Sequence, residues 1–192
     1  MKSSRSEELQ RSISAGWIAF AKYRKILKSN IPICLKRTIY HGCTEPVITY
    51  GSQVWALNKR LVSKLRTTQR SMERAIIGVT KRDHLTNKKV RELSGTNDII
   101  STIKKLKWSW AGHIARMKDN RWTQRTMEWI PIGQKRERAR PMTRWDDEII
   151  KFMGVTWIRK AQDRKLWKIH GEAFVQQWTD HEKKKKNKKR CQ

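Results

Sequence analysis

The sequence predicts a mainly α-helical protein that ends in a disordered basic tail. Apolar residues recur at helical spacing along almost the whole chain, and no segment shows the apolar–polar alternation that is typical of a strand. The chain has 192 residues, which allows one domain or two small ones around a modest core. Ten tryptophans supply core area that a hydrophobic content of 37% would otherwise lack.

Residues 6–82 are predicted to form the first helical region. Apolar residues of its first helix share a narrow arc at 100° per residue, namely Leu9, Ile13, Phe20 and Leu27. Ser29, Asn30 and Pro32 are expected to end that helix. Two short apolar helices follow, with a break at residues 42–45 and with Pro46 in a first helical turn.

A long helix of the same region is predicted to begin after Asn58, a good N-cap residue, and to end near Gly78. Its apolar stripe consists of Leu61, Leu65, Met72, Ile76 and Val79. Four cations fall within an arc of about 80° on the opposite side: Arg60, Arg70, Arg74 and Lys81. One side is therefore expected to face a core, while the other is either solvated or follows phosphate groups.

Residues 83–130 are predicted to form a second helical region. Thr86 caps a short helix that Gly95 closes, and a long helix then runs from about residue 97 to 117. Its apolar stripe consists of Ile99, Ile103, Leu106, Trp110, Ile114 and Met117. Trp108 points roughly the opposite way, so its indole meets either a second helical layer, which we favour, or a base or sugar.

His113 lies in the stretch "LKWSWAGHIARM", at the edge of that stripe. No cysteine or second histidine stands nearby at metal-ligand spacing, and no nucleophile or orienting carboxylate surrounds it. We therefore expect a packing residue with one hydrogen-bond partner, rather than a metal ligand or a general base.

The last part of the chain is predicted to divide into three segments. Residues 131–142 ("PIGQKRERARP" and the next residue) have almost nothing to bury and are interpreted as a basic linker or a loop laid on an anion. Residues 143–178 form C-terminal helices. Residues 179–192 are expected to be disordered, since seven of the eight residues 183–190 are cationic. This tail is either a solvated end or a nuclear-import or nucleic-acid patch.

The charge of the chain indicates a polyanionic partner. Lysine and arginine number 45 against 17 acids, for a net charge of +28. Such an excess on a folded chain favours nucleic acid (RNA or DNA) over an anionic membrane surface. No apolar run spans a bilayer, the first residues lack a secretory signal, and three scattered cysteines favour a reducing compartment. We expect a nuclear or cytoplasmic protein that is not secreted.

Clusters of basic residues recur along the chain, and tryptophans interleave with the later ones, which would suit stacking as well as charge. The predicted nucleic-acid-binding residues are Arg60, Arg70, Arg74, Lys81, Lys104, Lys105, Arg116, Arg121, Arg125, Lys135, Arg136, Arg138, Arg140 and Arg144.

Other residue patterns give little support to catalysis. Asp146 and Asp147 are adjacent, so on a helix they diverge by about 100° and more simply favour the helix dipole. Cys34, His41 and Cys43 lie close in sequence, but their segment carries apolar packing. The sequence has no Gly-rich phosphate loop, Ser/His/Asp set or Gly-x-Ser-x-Gly elbow. We therefore predict no metal, no cofactor and no enzymatic activity.

Several longer stretches resemble the reverse transcriptases of non-LTR (LINE) retrotransposons, most closely the RTE-like lineage with an apurinic-type endonuclease. They are "ISAGWIAFAKYRKILKSNIPICLKRTIYHGCTEPVITYGSQVWAL" with "QRSMERAIIGVT", then "KLKWSWAGHIARMKDNRWTQRTMEWIP", "RARPMTRWDDEI" and "WIRKAQDRKLWKIHGEAFVQQW". The resemblance covers roughly residues 7–178. Each motif is weak alone, but their order and spacing are specific.

This resemblance implies a thumb-like helical bundle followed by a smaller helical C-terminal module. In that family the thumb holds the primer–template duplex, and the next region helps to grip template RNA or target DNA. The catalytic aspartates belong to the palm, which would lie upstream and would be a partner in a longer protein. No Tyr-x-Asp-Asp motif occurs here, and the Cys-Cys-His-Cys spacing of a zinc knuckle is also missing. The alternative is an independent nuclear nucleic-acid-binding protein derived from such an element.

Overall fold

The computed structural model describes residues 5–117, 122–123 and 144–188, with side chains as far as residue 177. These residues form helices and no strand, which confirms the predicted mainly α class. The chain divides into two compact units. The first contains Met1–Ser52 and Leu57–Ile103, and the second contains Gln53–Ala56 and Lys104–Gln192. The limits between these units do not coincide with the domain boundary that the sequence predicted after residue 82. The turn residues near that position mark the ends of helices and not the limits of a core.

Helices α1 (Arg5–Lys22), α2 (Arg24–Lys28) and α3 (Ile33–Ile39) begin the first unit. The predicted first helix is therefore interrupted at Tyr23, and it ends before Ser29 as expected. The apolar residues that predicted it are all buried, namely Leu9, Ile13, Phe20 and Leu27.

A π-helical turn at Tyr40–Thr44 joins α3 to α4 (Glu45–Thr49). The predicted break at residues 42–45 was therefore wrong, since the chain stays helical there. Pro46 lies in the first turn of α4 as expected, and it has no N–H to donate to the carbonyl of Gly42. The wider π turn lies where this α-helical hydrogen bond is missing.

Helix α5 (Lys59–Ile77) has both predicted caps. The Asn58 side chain accepts a hydrogen bond from the backbone N–H of Leu61 at 2.9 Å. Gly78 ends the helix in the left-handed region at φ 76°, where a side chain would be strained. Around α5 lies a core formed by Leu61, Leu65, Met72, Ile76, Tyr40, Ile48, Val90 and the apolar residues of α1.

Helix α6 (Asn87–Ser94) is likewise capped as predicted, by Thr86 at its start and Gly95 at its end. A side chain at Gly95 is disfavoured, because the backbone there has φ 61° and a Cβ would displace the guanidinium group of Arg37. Arg37 Nε also donates to the carbonyl of Ser94 at 3.2 Å, so α3 is bonded to the end of α6.

Helix α7 (Ile99–Ala115) closely matches the predicted helix at 97–117. Its residues 99–103 belong to the first unit and its residues 104–115 to the second. The predicted single apolar stripe was wrong in part, because Leu106 is 39% exposed whereas Trp108 and Ala111 are buried. Since the two parts of the helix serve two cores, one periodic stripe does not describe both.

Helices α8 (Asp147–Met153), α9 (Trp157–Lys160) and α10 (Arg164–Lys188) complete the second unit. They confirm helices within residues 143–178. Helix α10 also extends into the segment that was predicted to be disordered from residue 179, since lysine and glutamate are good helix formers despite their charge. The predicted linker at 131–142 and residues 189–192 lie outside the described residues.

The core of the second unit is aromatic. Trp108 and Trp167 stack with their ring centroids 3.9 Å apart, and Phe152, Trp157 and Phe174 surround them. Trp108 thus meets a second helical layer, as the sequence analysis favoured. None of the described helices is long and apolar enough to span a membrane.

Candidate nucleic-acid interface

A groove of about 630 Å³ lies in the first unit, where α5 ends. Among the residues that the structure describes, its lining includes no acidic side chain and four cations: Lys28, Lys36, Arg74 and Lys81. The apolar lining comes from the end of α5 and the residues that follow it, chiefly Ile77 and Val79. We call this feature the basic groove. Its lining combines positive charge with an apolar surface.

Two of these cations are fixed by hydrogen bonds to uncharged groups. Lys36 Nζ donates to the backbone carbonyl of Ile76 at 3.2 Å. Arg74 Nη2 donates to the carbonyl of Leu85 at 3.1 Å and to Asn87 Oδ1 at 3.0 Å. Because these acceptors carry no net charge, the hydrogen bonds do not offset the positive charge of either side chain.

The loop that follows α5 is held by Asp83. Its Oδ2 accepts hydrogen bonds from the backbone N–H of Thr80 at 2.6 Å and from Thr80 Oγ1 at 3.0 Å. Lys81 lies within this loop and is exposed. Lys28, the last residue of α2, also lines the groove and is exposed. The groove thus has a fixed pair of cations and an exposed pair.

Arg70 does not lie on the exposed cationic side of α5 to which its spacing assigned it. It is 5% exposed and is paired with the carboxylate of Glu73, which also accepts a hydrogen bond from Thr96. Burial lowers the pKa of Arg70 and raises that of Glu73, while their mutual attraction opposes both shifts. Since α5 packs against helices on several sides, part of its polar face is covered, and Arg70 cannot reach an external phosphate.

The other cations predicted on α5 and its C-terminal loop have different surroundings. Arg60 and Lys81 are exposed, whereas Arg74 is half-buried at the basic groove. Of the predicted residues that the structure describes, Arg74 and Lys81 therefore share the groove.

On α7, the predicted residues Lys104 and Lys105 form a cluster with Lys107. This cluster is corrected in the same way. Lys104 and Lys107 are each about 2% exposed, and both pair with the carboxylate of Glu148. Lys107 Nζ also lies 5.4 Å from the ring centroid of Trp145, a cation–π contact. Burial lowers the pKa of both lysines, although attraction to Glu148 opposes the shift. Of this cluster only Lys105 is exposed.

Arg116 is also engaged inside the second unit, because its Nη1 donates to the carbonyl of Ala161 at 2.8 Å. Partial burial and the like charge of Arg164 lower its pKa. Arg144 is exposed. The remaining predicted residues lie outside the described part of the chain: Arg121, Arg125, Lys135, Arg136, Arg138 and Arg140.

No sequence pattern predicted Lys28 and Lys36 as nucleic-acid-binding residues. They lie on two short helices, and neither has a periodic relation to the cations of α5. Only the packing of α2 and α3 against α5 brings them to the same groove. The sequence carried a weak signal for them, because both are cations close to residues 29–32, where the first helix was expected to end.

His113 is exposed rather than at the edge of a core, and its ring stacks on Trp110 at a centroid distance of 5.6 Å. Asp147 lies at the start of α8 and accepts a hydrogen bond from the N–H of Arg144 at 2.7 Å, in keeping with a role at the helix start. His41 pairs with Glu45. Within the described residues, no group of three or more histidine, cysteine or acidic side chains could hold a metal ion.

The chain is similar to a protein of Caenorhabditis elegans that is named as an uncharacterised transposon-derived protein. The two sequences are 34% identical over 174 residues, which cover 83% of this chain and 62% of that protein. The chain thus spans less than two thirds of the length of this relative. No protein-family model and no solved structure matches the chain. The similarity supports a transposon origin.

Proposed function

We propose that the chain is a non-catalytic C-terminal part of a retrotransposon reverse transcriptase and that it holds RNA or DNA through its basic surfaces. The basic groove carries this proposal, because four cations line it and none of the described acidic residues does. The net charge of +28 favours the same class of partner.

The groove favours contacts to phosphates rather than to base edges. Its fixed cations, Lys36 and Arg74, are bonded to uncharged acceptors, and its exposed ones, Lys28 and Lys81, can adapt to a flexible backbone. Binding through phosphates releases counterions, so affinity is expected to vary little with sequence and to fall steeply with salt.

The assignment to a reverse transcriptase rests on the resemblance of residues 7–178 and on the similarity to a transposon-derived protein. In such a protein an upstream palm supplies the catalytic aspartates, and the present chain holds the RNA or DNA. We therefore expect the purified chain to show no polymerase or nuclease activity. Magnesium-dependent primer extension that a point mutation in this chain abolishes would contradict this part of the proposal.

A second candidate function is an independent nuclear nucleic-acid-binding protein derived from such an element. The DNA upstream of the Met1 codon separates the two candidates. A palm sequence with its Asp-Asp pair in that DNA supports a retrotransposon protein, whereas a promoter with clean intron boundaries supports an independent gene.

The binding proposal is tested by salt titrations of four proteins. Lys28→Glu with Lys81→Glu alters the groove, and Lys165→Glu with Lys168→Glu is a control of equal charge change on exposed lysines of α10. A third variant lacks residues 183–190, and the fourth protein is unaltered. We expect the groove variant to bind at least about tenfold more weakly and to lose about one to two units of the slope of log K against log salt.

The control variant is expected to lose clearly less affinity, and the tail deletion to lower the slope without abolishing binding. Equal losses in the groove and control variants would mean that total charge alone decides binding. If the deletion of residues 183–190 removes nearly all binding, the groove faces solvent and does not bind nucleic acid. Circular dichroism checks that each variant is folded.

A further inference from the structure

We infer that the basic groove accepts a single strand of nucleic acid, with a base or sugar against its apolar lining and the adjoining phosphate on its exposed lysines. This inference rests on the proposed binding of nucleic acid and specifies the form of the ligand. The observations behind it are the apolar lining, the concave shape and the polarity of the groove.

The apolar lining distinguishes a single strand from a duplex. Ile77 and Val79 are half-buried and face the groove beside Gly78. Covering such a surface is favourable only when the ligand brings apolar surface of its own. In a duplex the faces of the bases are stacked on one another, whereas an unpaired base exposes its faces to contact with a protein.

The size of the groove also favours a small, flexible ligand segment. A volume of about 630 Å³ lies within the range of roughly 300–1,000 Å³ that is common for small-molecule pockets. A duplex is a stiff, convex rod over the length of such a groove. A single strand can place one unit of its backbone inside the groove and continue along the surface.

The electrostatic polarity of the groove orients this unit. Carbonyl groups of the last turn of α5 point out of the helix end, which is the negative end of the helix dipole. The carbonyl of Arg74 accepts from the N–H groups of Gly78 and Val79, and that of Ile76 accepts from Lys36. A phosphate is therefore expected beside the exposed cations Lys28 and Lys81 rather than against the carbonyl groups of the helix end.

Unpaired adenine, guanine and cytosine carry amino groups whose partial positive charge suits the negative end of the helix dipole. In a duplex these amino groups are already bonded to the opposite strand. A base near the carbonyl groups of the helix end and a phosphate beside Lys28 and Lys81 is thus the arrangement that suits this lining, and an unpaired strand can adopt it.

The test compares labelled oligonucleotides that carry the same number of phosphates, one single-stranded and one a hairpin duplex, by fluorescence anisotropy at one salt concentration. Val79→Gln removes apolar surface from the groove without changing charge. Ile18→Gln is the control, since Ile18 is exposed elsewhere in the first unit and does not line the groove. Ile77→Gln serves as a second groove variant if Val79→Gln is unstable in urea.

We expect Val79→Gln to weaken single-strand binding by about fivefold, to leave hairpin binding unchanged and to leave the salt slope unchanged. Ile18→Gln should change neither affinity. Equal binding of both oligonucleotides, with no effect of Val79→Gln or Ile77→Gln, would overturn the inference. The proposed function would still stand if the groove lysines set the salt slope.

Two further outcomes separate the remaining explanations. If poly-glutamate competes as well as the single-stranded oligonucleotide, the groove recognises charge alone and the inference is wrong. If neither oligonucleotide binds, the proposed function itself fails.

Discussion

Trp108 and Trp167 each donate the indole N–H to the backbone carbonyl of the other residue. The distances are 2.9 Å from Trp108 Nε1 to the Trp167 carbonyl and 3.0 Å in the reverse direction. Their rings stack with an interplanar angle of 12°. The two helices that carry them, α7 and α10, are thus joined by a reciprocal pair of buried hydrogen bonds.

This pairing explains two glycines in helix interiors. Each tryptophan is followed four positions later by a glycine, at Gly112 and Gly171. A Cβ at Gly112 would lie 2.6 Å from Cδ1 of Trp167, and one at Gly171 would lie 2.9 Å from Cδ1 of Trp108. Both distances are too short for a real contact, so each indole lies where the other helix has no side chain.

Gly112→Ala is therefore expected to destabilise the second unit by about 1–3 kcal/mol, because the added methyl group overpacks a dense core. Gly42→Ala is the matched control, since nothing lies within 4 Å of a Cβ at that helical position. Urea denaturation followed by circular dichroism gives both values. A Gly112→Ala protein as stable as the Gly42→Ala protein would show that Trp167 can move aside without cost.

Arg70→Met is expected to cost about 3–5 kcal/mol, because it leaves the buried carboxylate of Glu73 without its cation. Arg70→Met combined with Glu73→Gln should cost less than Arg70→Met alone. Arg60→Ala, at an exposed position of the same helix, should change stability by no more than about 0.5 kcal/mol. Equal effects of Arg60→Ala and Arg70→Met in a urea titration would argue against the buried pair.

Alkaline pH is expected to stabilise the second unit through Lys104 and Lys107. Burial lowers the pKa of both amines below the ordinary value of 10.5, so the folded chain binds these protons less readily than the unfolded chain. The free energy of unfolding is therefore reduced below the folded-state pKa, and it rises as pH increases through that pKa towards 10.5.

Lys104→Met should flatten this rise, because one of the two buried amines is then absent. Lys105→Met, which alters an exposed neighbour, should leave it unchanged. The measurement is the urea midpoint of each protein at a series of alkaline pH values. A Lys104→Met protein with the full rise would assign the pH dependence to other groups.

His113→Gln is expected to change stability by no more than about 0.5 kcal/mol, since the imidazole is exposed and stacks on the ring of Trp110. Affinity for RNA or DNA should also stay nearly the same. A loss of affinity above about tenfold in a folded protein, roughly 1.4 kcal/mol, would place His113 in a binding site instead.

Several features could be predicted from the sequence because they depend on interactions between residues close together in the chain. The caps Asn58, Thr86, Gly78 and Gly95 act through atoms within a few residues of each helix end, so the sequence contains everything that determines them. The apolar stripe of α1 was equally readable, because one face of that helix packs on one core. The helical class follows from many such local signals.

The sequence alone therefore determined the helical class, the approximate bounds of α5, α6 and α7 and the excess of positive charge. The tertiary structure decided which cations remain at the surface, because Arg70 and Lys104 became buried when helices packed against the sides that carry them. It also decided the groove, which joins Lys28 and Lys36 to the end of α5. The physical reason is the distance along the chain over which each effect acts. Helix caps and apolar periodicity depend on residues a few positions apart, whereas burial depends on contacts between segments that are distant in the chain.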